Sequence, residues 1–132
     1  MNSKKPHRNL MAWQKKTMDF AVNVYELTRK FPQEEIYALS LQLRRAAVSA
    51  PSNIAEGAAD RTRQLFSNYL SNAISSLNEI DTQLELARRL EYVTGTDYDR
   101  LYKVLDKCLA LTYGLRKAIN RKQDSRKVSI KP

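Results

Sequence analysis

At 132 residues the chain is long enough for one domain with one real core, and its 3 Gly and 4 Pro are too few for a turn-rich β fold. A single cysteine, Cys108, excludes an intrachain disulfide, and no apolar run approaches the roughly 20 residues of a membrane span, so the sequence predicts a soluble cytoplasmic protein. The net charge of +9 is uneven: Lys4, Lys5 and Arg8 lie in residues 1–9, and Arg121, Lys122, Arg126, Lys127 and Lys131 face only Asp124 in residues 121–132. Basic ends of this kind hold polyanions or serve as solubility extensions.

Residues 1–9 read as a basic disordered tail containing Pro6. A first helix follows from about Leu10 to Lys30, because Leu10, Trp13, Thr17, Phe20, Val24, Leu27 and Phe31 recur by threes and fours. Phe31-Pro32 ends it, since a residue before proline avoids helical geometry. A second helix is predicted from about Gln33 to Glu56, with Pro32 in its first turn and Glu34 and Glu35 at its positive end. Leu39, Leu43, Ala47, Ala50 and Ile54 form its core face, while Gln42, Arg45, Ser49, Ser52, Asn53 and Glu56 form a polar stripe. Pro51 removes one helical hydrogen bond and crowds the carbonyl of Ala47, which predicts a kink in one bent helix, the alternative being a break with Pro51 as the first residue of a short second helix. Gly57 offers a stop.

Thr62 caps a third helix running to about Val93, with Phe66, Leu70, Ala73, Leu77, Ile80, Leu84 and Ala87 inward. Thr94–Asp97 makes the next turn, with Thr96 as the expected cap. The fourth helix carries Leu101, Val104, Cys108, Leu111, Leu115 and Ala118 to about Asn120. Residues 121–132 show no periodicity and read as a basic mobile tail. The result is an all-α domain over 10–120: an antiparallel up-down-up-down four-helix bundle, with bulky faces elsewhere meeting the small residues around Pro51. Tyr37, Leu41, Val48 and Ala55 form a second apolar row beside the core row, and Arg44 falls on it; Tyr37, Leu41, Arg44 and Val48 are the expected oligomer contacts.

The residues support little catalytic chemistry. The lone histidine, His7, excludes a Glu-x-x-His metal centre, and Cys108 lies on an apolar seam without a histidine to activate it. No metal or cofactor is expected. The seven tyrosines fall mostly at helical spacing beside core positions, which favours packing over base stacking. Arg61 and Arg63 flank the cap of the third helix, and Arg88-Arg89 and Arg116-Lys117 are doublets near helix ends, where each is either a phosphate clamp or a solvated charge.

The stretch QLRRAAVSAPSNIAEG at 42–57 resembles the small four-helix proteins encoded within intervening sequences of bacterial 23S ribosomal RNA genes. The resemblance continues through Trp13, Val24-Tyr25, Phe31-Pro32, Phe66 and the run from Glu79 to Ala87, and covers about residues 10–119. It departs at Leu65, where a glutamate often completes the capping box, and at Ala59, where a glycine is common. The resemblance implies a ring-shaped homopentamer with a basic surface. Related accessory proteins of diversity-generating retroelements bind a reverse transcriptase and its template RNA through such a surface. The expected function is a non-catalytic oligomer that binds RNA or DNA. The expected contacts are Lys4, Lys5, Arg8, Arg44, Arg61, Arg63, Arg88, Arg89, Arg116, Lys117, Arg121, Lys122, Arg126 and Lys127. The competing expectation is an oligomeric adaptor whose basic surface holds an acidic protein partner.

Overall fold

The computed structural model describes residues 8–59 and 62–130, with side chains over 13–59 and 62–121. These residues form four helices, α1 (Arg8–Thr28), α2 (Leu39–Ala59), α3 (Arg63–Arg89) and α4 (Gly95–Ile130), with no strand among them. Helix α1 packs on α2 and α4, and α3 packs on the same two, so each helix touches its two neighbours in a four-helix bundle.

The seams are those of the periodic residues. Phe20, Val24, Leu27 and Phe31 from α1 and its exit turn are buried, as are Leu43, Ala47, Ala50 and Ile54 from α2 and Leu70, Leu77, Ile80 and Leu84 from α3. On α4 the phase differs by one residue from the expected row: Leu101, Leu105, Cys108, Thr112 and Ile119 are buried, while Val104, Leu111 and Ala118 sit beside them. Val104-Leu105 and Ala118-Ile119 are apolar doublets, so spacing alone does not choose between their members. Thr112 can lie inside because its hydroxyl donates to the carbonyl of Cys108 at 2.7 Å.

The core has two parts. The larger joins Phe20, Leu27, Leu43, Leu84, Leu101 and their neighbours. The smaller joins Ile54, Phe66, Leu70, Ala73 and Ile119, with Trp13, Ala58 and Leu115 against it. The start of α1, the end of α2, the start of α3 and the second half of α4 therefore meet at one end of the bundle.

Several helix ends differ from the sequence reading. Helix α2 begins at Leu39 rather than Gln33. Pro32 is extended (φ −55°, ψ 143°), Gln33–Glu35 form one 3-10 turn, and the Glu35 carboxylate accepts the Leu39 N–H at 3.2 Å. Tyr37 thus lies in the connecting turn, off α2. The helix is continuous through Pro51, and it does not stop at Gly57. Gly57 is buried because α3 comes too close for a side chain there.

Helix α3 ends at Arg89, four residues before Val93. Tyr92 N–H donates to Ala87 O and Glu91 N–H to Arg88 O, both at 2.9 Å, with Glu91 at φ 63°. That is a Schellman closure with glutamate at its left-handed position. Thr62 caps α3 as expected, its Oγ1 accepting from Leu65 N–H at 3.2 Å. Thr94 rather than Thr96 caps α4, accepting from Asp97 N–H at 3.1 Å. Helix α4 also continues past Asn120 to Ile130. The segment after Asn120 has neither Gly nor Pro before Ile130 and is rich in Arg, Lys and Gln, which favour helix without an apolar face. The expected tail at 1–7 lies outside the described residues, while Arg8 and Asn9 open α1.

Candidate nucleic-acid interface

The second half of α4 is fastened to the first half of α3 by polar side chains. Ser67 donates to Asn120 Oδ1 at 2.8 Å, and Arg116 Nη1 donates to Ser71 Oγ at 3.1 Å. Ser71 in turn donates to the carbonyl of Ser67 at 3.1 Å. The Arg116 guanidinium also lies over the Tyr113 ring, 5.2 Å from its centroid. These contacts hold a shallow groove lined by Tyr113, Gly114, Arg116, Lys117, Asn120 and Arg121.

Arg63 opens α3 at the same end, and Arg8 opens α1 there. Sequence positions far apart are thus gathered: Arg8, Arg63, Arg116, Lys117 and Arg121 belong to elements joined by the smaller core. Among the described residues no ion pair engages Arg63, Arg116, Lys117 or Arg121; the pairs formed lie on other groups. Lys122, Arg126 and Lys127 follow on α4, with side chains outside the described residues. Lys4, Lys5 and Arg61 lie outside the described residues altogether.

The remaining predicted cations are placed differently. Arg88 and Arg89 sit at the end of α3 that packs with the start of α4, away from this groove, and both hold Glu85, at 2.7 and 2.9 Å. Hydrogen bonds from Arg89 and then Arg88 keep the Glu85 carboxyl down at about 2, against burial that pushes it up. Arg88 also lies 5.0 Å over the Tyr98 ring. Arg44 is half-buried between α1 and α2, its Nε donating to Thr28 Oγ1 at 2.8 Å and its guanidinium 5.0 Å over Tyr25. Arg88 and Arg89 already hold a carboxylate, which leaves them less free for phosphate than the group at the other end; Arg44, like Arg116, is held only by a hydroxyl and an aromatic ring.

The expected oligomer contacts are also dispersed. Tyr37 is 87% exposed in its turn, Leu41 and Arg44 are half-buried, and Val48 is exposed. Val48 lines an apolar groove between α1 and α2 with Met18, Val22, Tyr25, Pro51 and Ala55. Met18 and Val22, both about half exposed, did not figure in the sequence reading. Their spacing with Tyr25 marks a second face of α1, adjacent to the core seam. Tyr113 and Asn120 were missed as well; only their four-residue registers with Lys117 and Arg116 on α4 hinted at them.

Burial pushes the Cys108 thiol up to about 11, so it is protonated at neutral pH. Among the described residues no group of His, Cys, Asp and Glu is arranged to hold a metal, and no helix is long and apolar enough to cross a membrane.

No protein of curated function matches the chain. Among solved structures it is similar to a protein of unknown function from the S23 ribosomal protein family of Bacteroides thetaiotaomicron. The two share 28% identity and a TM-score of 0.76, over 82% of this chain and 97% of that one. The profile of the 23S rRNA-intervening sequence protein family matches residues 8–114. With four helices, the periodic seams and a match over most of its length, the chain belongs to the 23S rRNA-intervening sequence protein family.

Proposed function

We propose that this protein is a non-catalytic, cytoplasmic RNA-binding protein that works as a ring-shaped homopentamer of up-down-up-down bundles, each with α2 bent at Pro51. The observation that carries the RNA reading is the gathering of Arg63, Arg116, Lys117 and Arg121 at one end, without ion pairs among the described residues. Cations so placed neutralise phosphates and release counterions. The exposed apolar groove of Met18, Val22 and Val48 supports assembly, since such a face is covered in an oligomer. Five basic ends around one ring engage a single polyanion together.

The test is RNA affinity against salt for the full chain, for a protein lacking both basic termini, and for Arg63→Ala/Arg116→Ala/Lys117→Ala/Arg121→Ala. Affinity is expected to fall steeply with salt and the substituted protein to lose both affinity and slope. Binding independent of salt, or no binding to RNA at low salt, removes the reading and leaves an adaptor for an acidic protein. A reverse transcriptase is the protein partner to assay beside RNA.

A further inference from the structure

We propose that the groove on the second half of α4 is a subsite for an unpaired nucleotide, with the Tyr113 ring stacking on the base and Lys117 and Arg121 holding the flanking phosphates. This rests on the RNA reading above and narrows it to single-stranded RNA.

The argument begins with register. Tyr113, Lys117 and Arg121 are four residues apart, so they line one face of α4 on successive turns about 5.4 Å apart. Tyr113 is 44% exposed although the Arg116 guanidinium lies over its ring. An exposed ring backed by a guanidinium is the arrangement on which bases stack. Gly114 beside it has nothing beyond its own helix within 4 Å of where its Cβ would stand, so α4 is open at that position.

Asn120 adds a directional group. Its Oδ1 accepts from Ser67 Oγ at 2.8 Å, which leaves the amide NH2 as the donor on this exposed residue. Arg116 is fixed in the same way, by Ser71 at 3.1 Å, and keeps the rest of its fork for a phosphate or base edge. Both groups are oriented by α3 before any ligand arrives, which lowers the ordering cost of binding.

The chemistry separates single strands from duplexes. In a duplex the base faces are covered by their neighbours, and the deep major groove of A-form RNA excludes side chains. Tyr113 then has nothing to stack on, and only the cations contribute. An unpaired base offers its whole face to the ring.

The experiment uses the full chain and a short labelled RNA, alone and annealed to its complement. Tyr113→Ala, Tyr113→Phe and Tyr113→Leu are compared with the parent, after thermal melts confirm their folding. The single strand is expected to bind more tightly than the duplex. Tyr113→Ala and Tyr113→Leu should lose about ten-fold for the single strand and little for the duplex, while Tyr113→Phe binds as the parent. A 2-aminopurine base in the strand should be quenched by the parent and by Tyr113→Phe, and not by Tyr113→Leu. Equal binding of both RNAs by the parent, or unchanged single-strand affinity in Tyr113→Leu, overturns the subsite and leaves the phosphate-binding reading intact. Absence of binding to either RNA at low salt overturns both.

Discussion

A β-carbon on Gly57 would stand 2.8 Å from Cδ1 of Phe66 and 2.9 Å from Cβ of Tyr69. The second distance matters more, because a Cβ moves only with its backbone, while a ring tip can swing. Gly57→Ala gains about 1 kcal/mol in helix propensity and loses roughly 1–3 kcal/mol to overpacking. A net destabilisation of about 1 kcal/mol is expected in urea melts. A variant as stable as its parent would mean α2 and α3 can separate there at no cost.

Glu91 holds a left-handed conformation, φ 63°, at the close of α3. That geometry costs a side chain roughly 1–2 kcal/mol, part of which glycine returns through its greater unfolded entropy. Glu91→Gly is therefore expected to stabilise the fold by about 0.5–1 kcal/mol. A lower melting temperature than the parent's would contradict this.

The Glu85 carboxyl, held at about 2 by Arg89 and Arg88, has a folded value below its ordinary 4.5. Its contribution to stability is present above that ordinary value and lost as pH falls from about 4.5 toward 2. The site is partly exposed, so salt weakens the effect. Urea midpoints followed down this range should fall more steeply for the parent than for Glu85→Gln. Parallel slopes would show that the pairs contribute nothing.

Val22 is 57% exposed and Val48 45% exposed, on the two helices that border the apolar groove. A charge at either position leaves the core untouched and places an unpaired carboxylate in any interface built on that groove. Sedimentation of the parent should give about five times the 15.2 kDa chain, and Val22→Glu or Val48→Glu should sediment as smaller species that are still helical. Unchanged assembly in both would move the interface elsewhere.

The helical seams were legible because their period is a property of the chain itself: Phe20, Val24 and Leu27, or Leu70, Leu77 and Leu84, have one way to be buried together. The start of α2 was not. Glu35, whose Oε1 accepts the Leu39 N–H, has its Oε2 fixed by the hydroxyl of Tyr92 at 2.8 Å, from a residue beyond the end of α3. A cap held by a distant residue leaves no local signal. Thr96 was the expected cap of α4, but Thr94 takes that place, three residues before the Asp97 N–H it accepts from. The same limit applies to the basic groove: the doublet Arg116-Lys117 was visible, but Ser71, which orients Arg116, and Ser67, which holds Asn120, carry no local signal of that role.

A core in two parts gives the molecule two scales of opening. The smaller cluster, around Phe66 and Ile119, sits at the basic end, and the larger one supports the opposite end. Amide exchange in the last turns of α2 and the first of α3 should therefore outrun exchange around Leu43 and Leu84. A polyanion bound at the basic end would slow exchange there first, so its arrival would be recorded as local protection before any change in global unfolding.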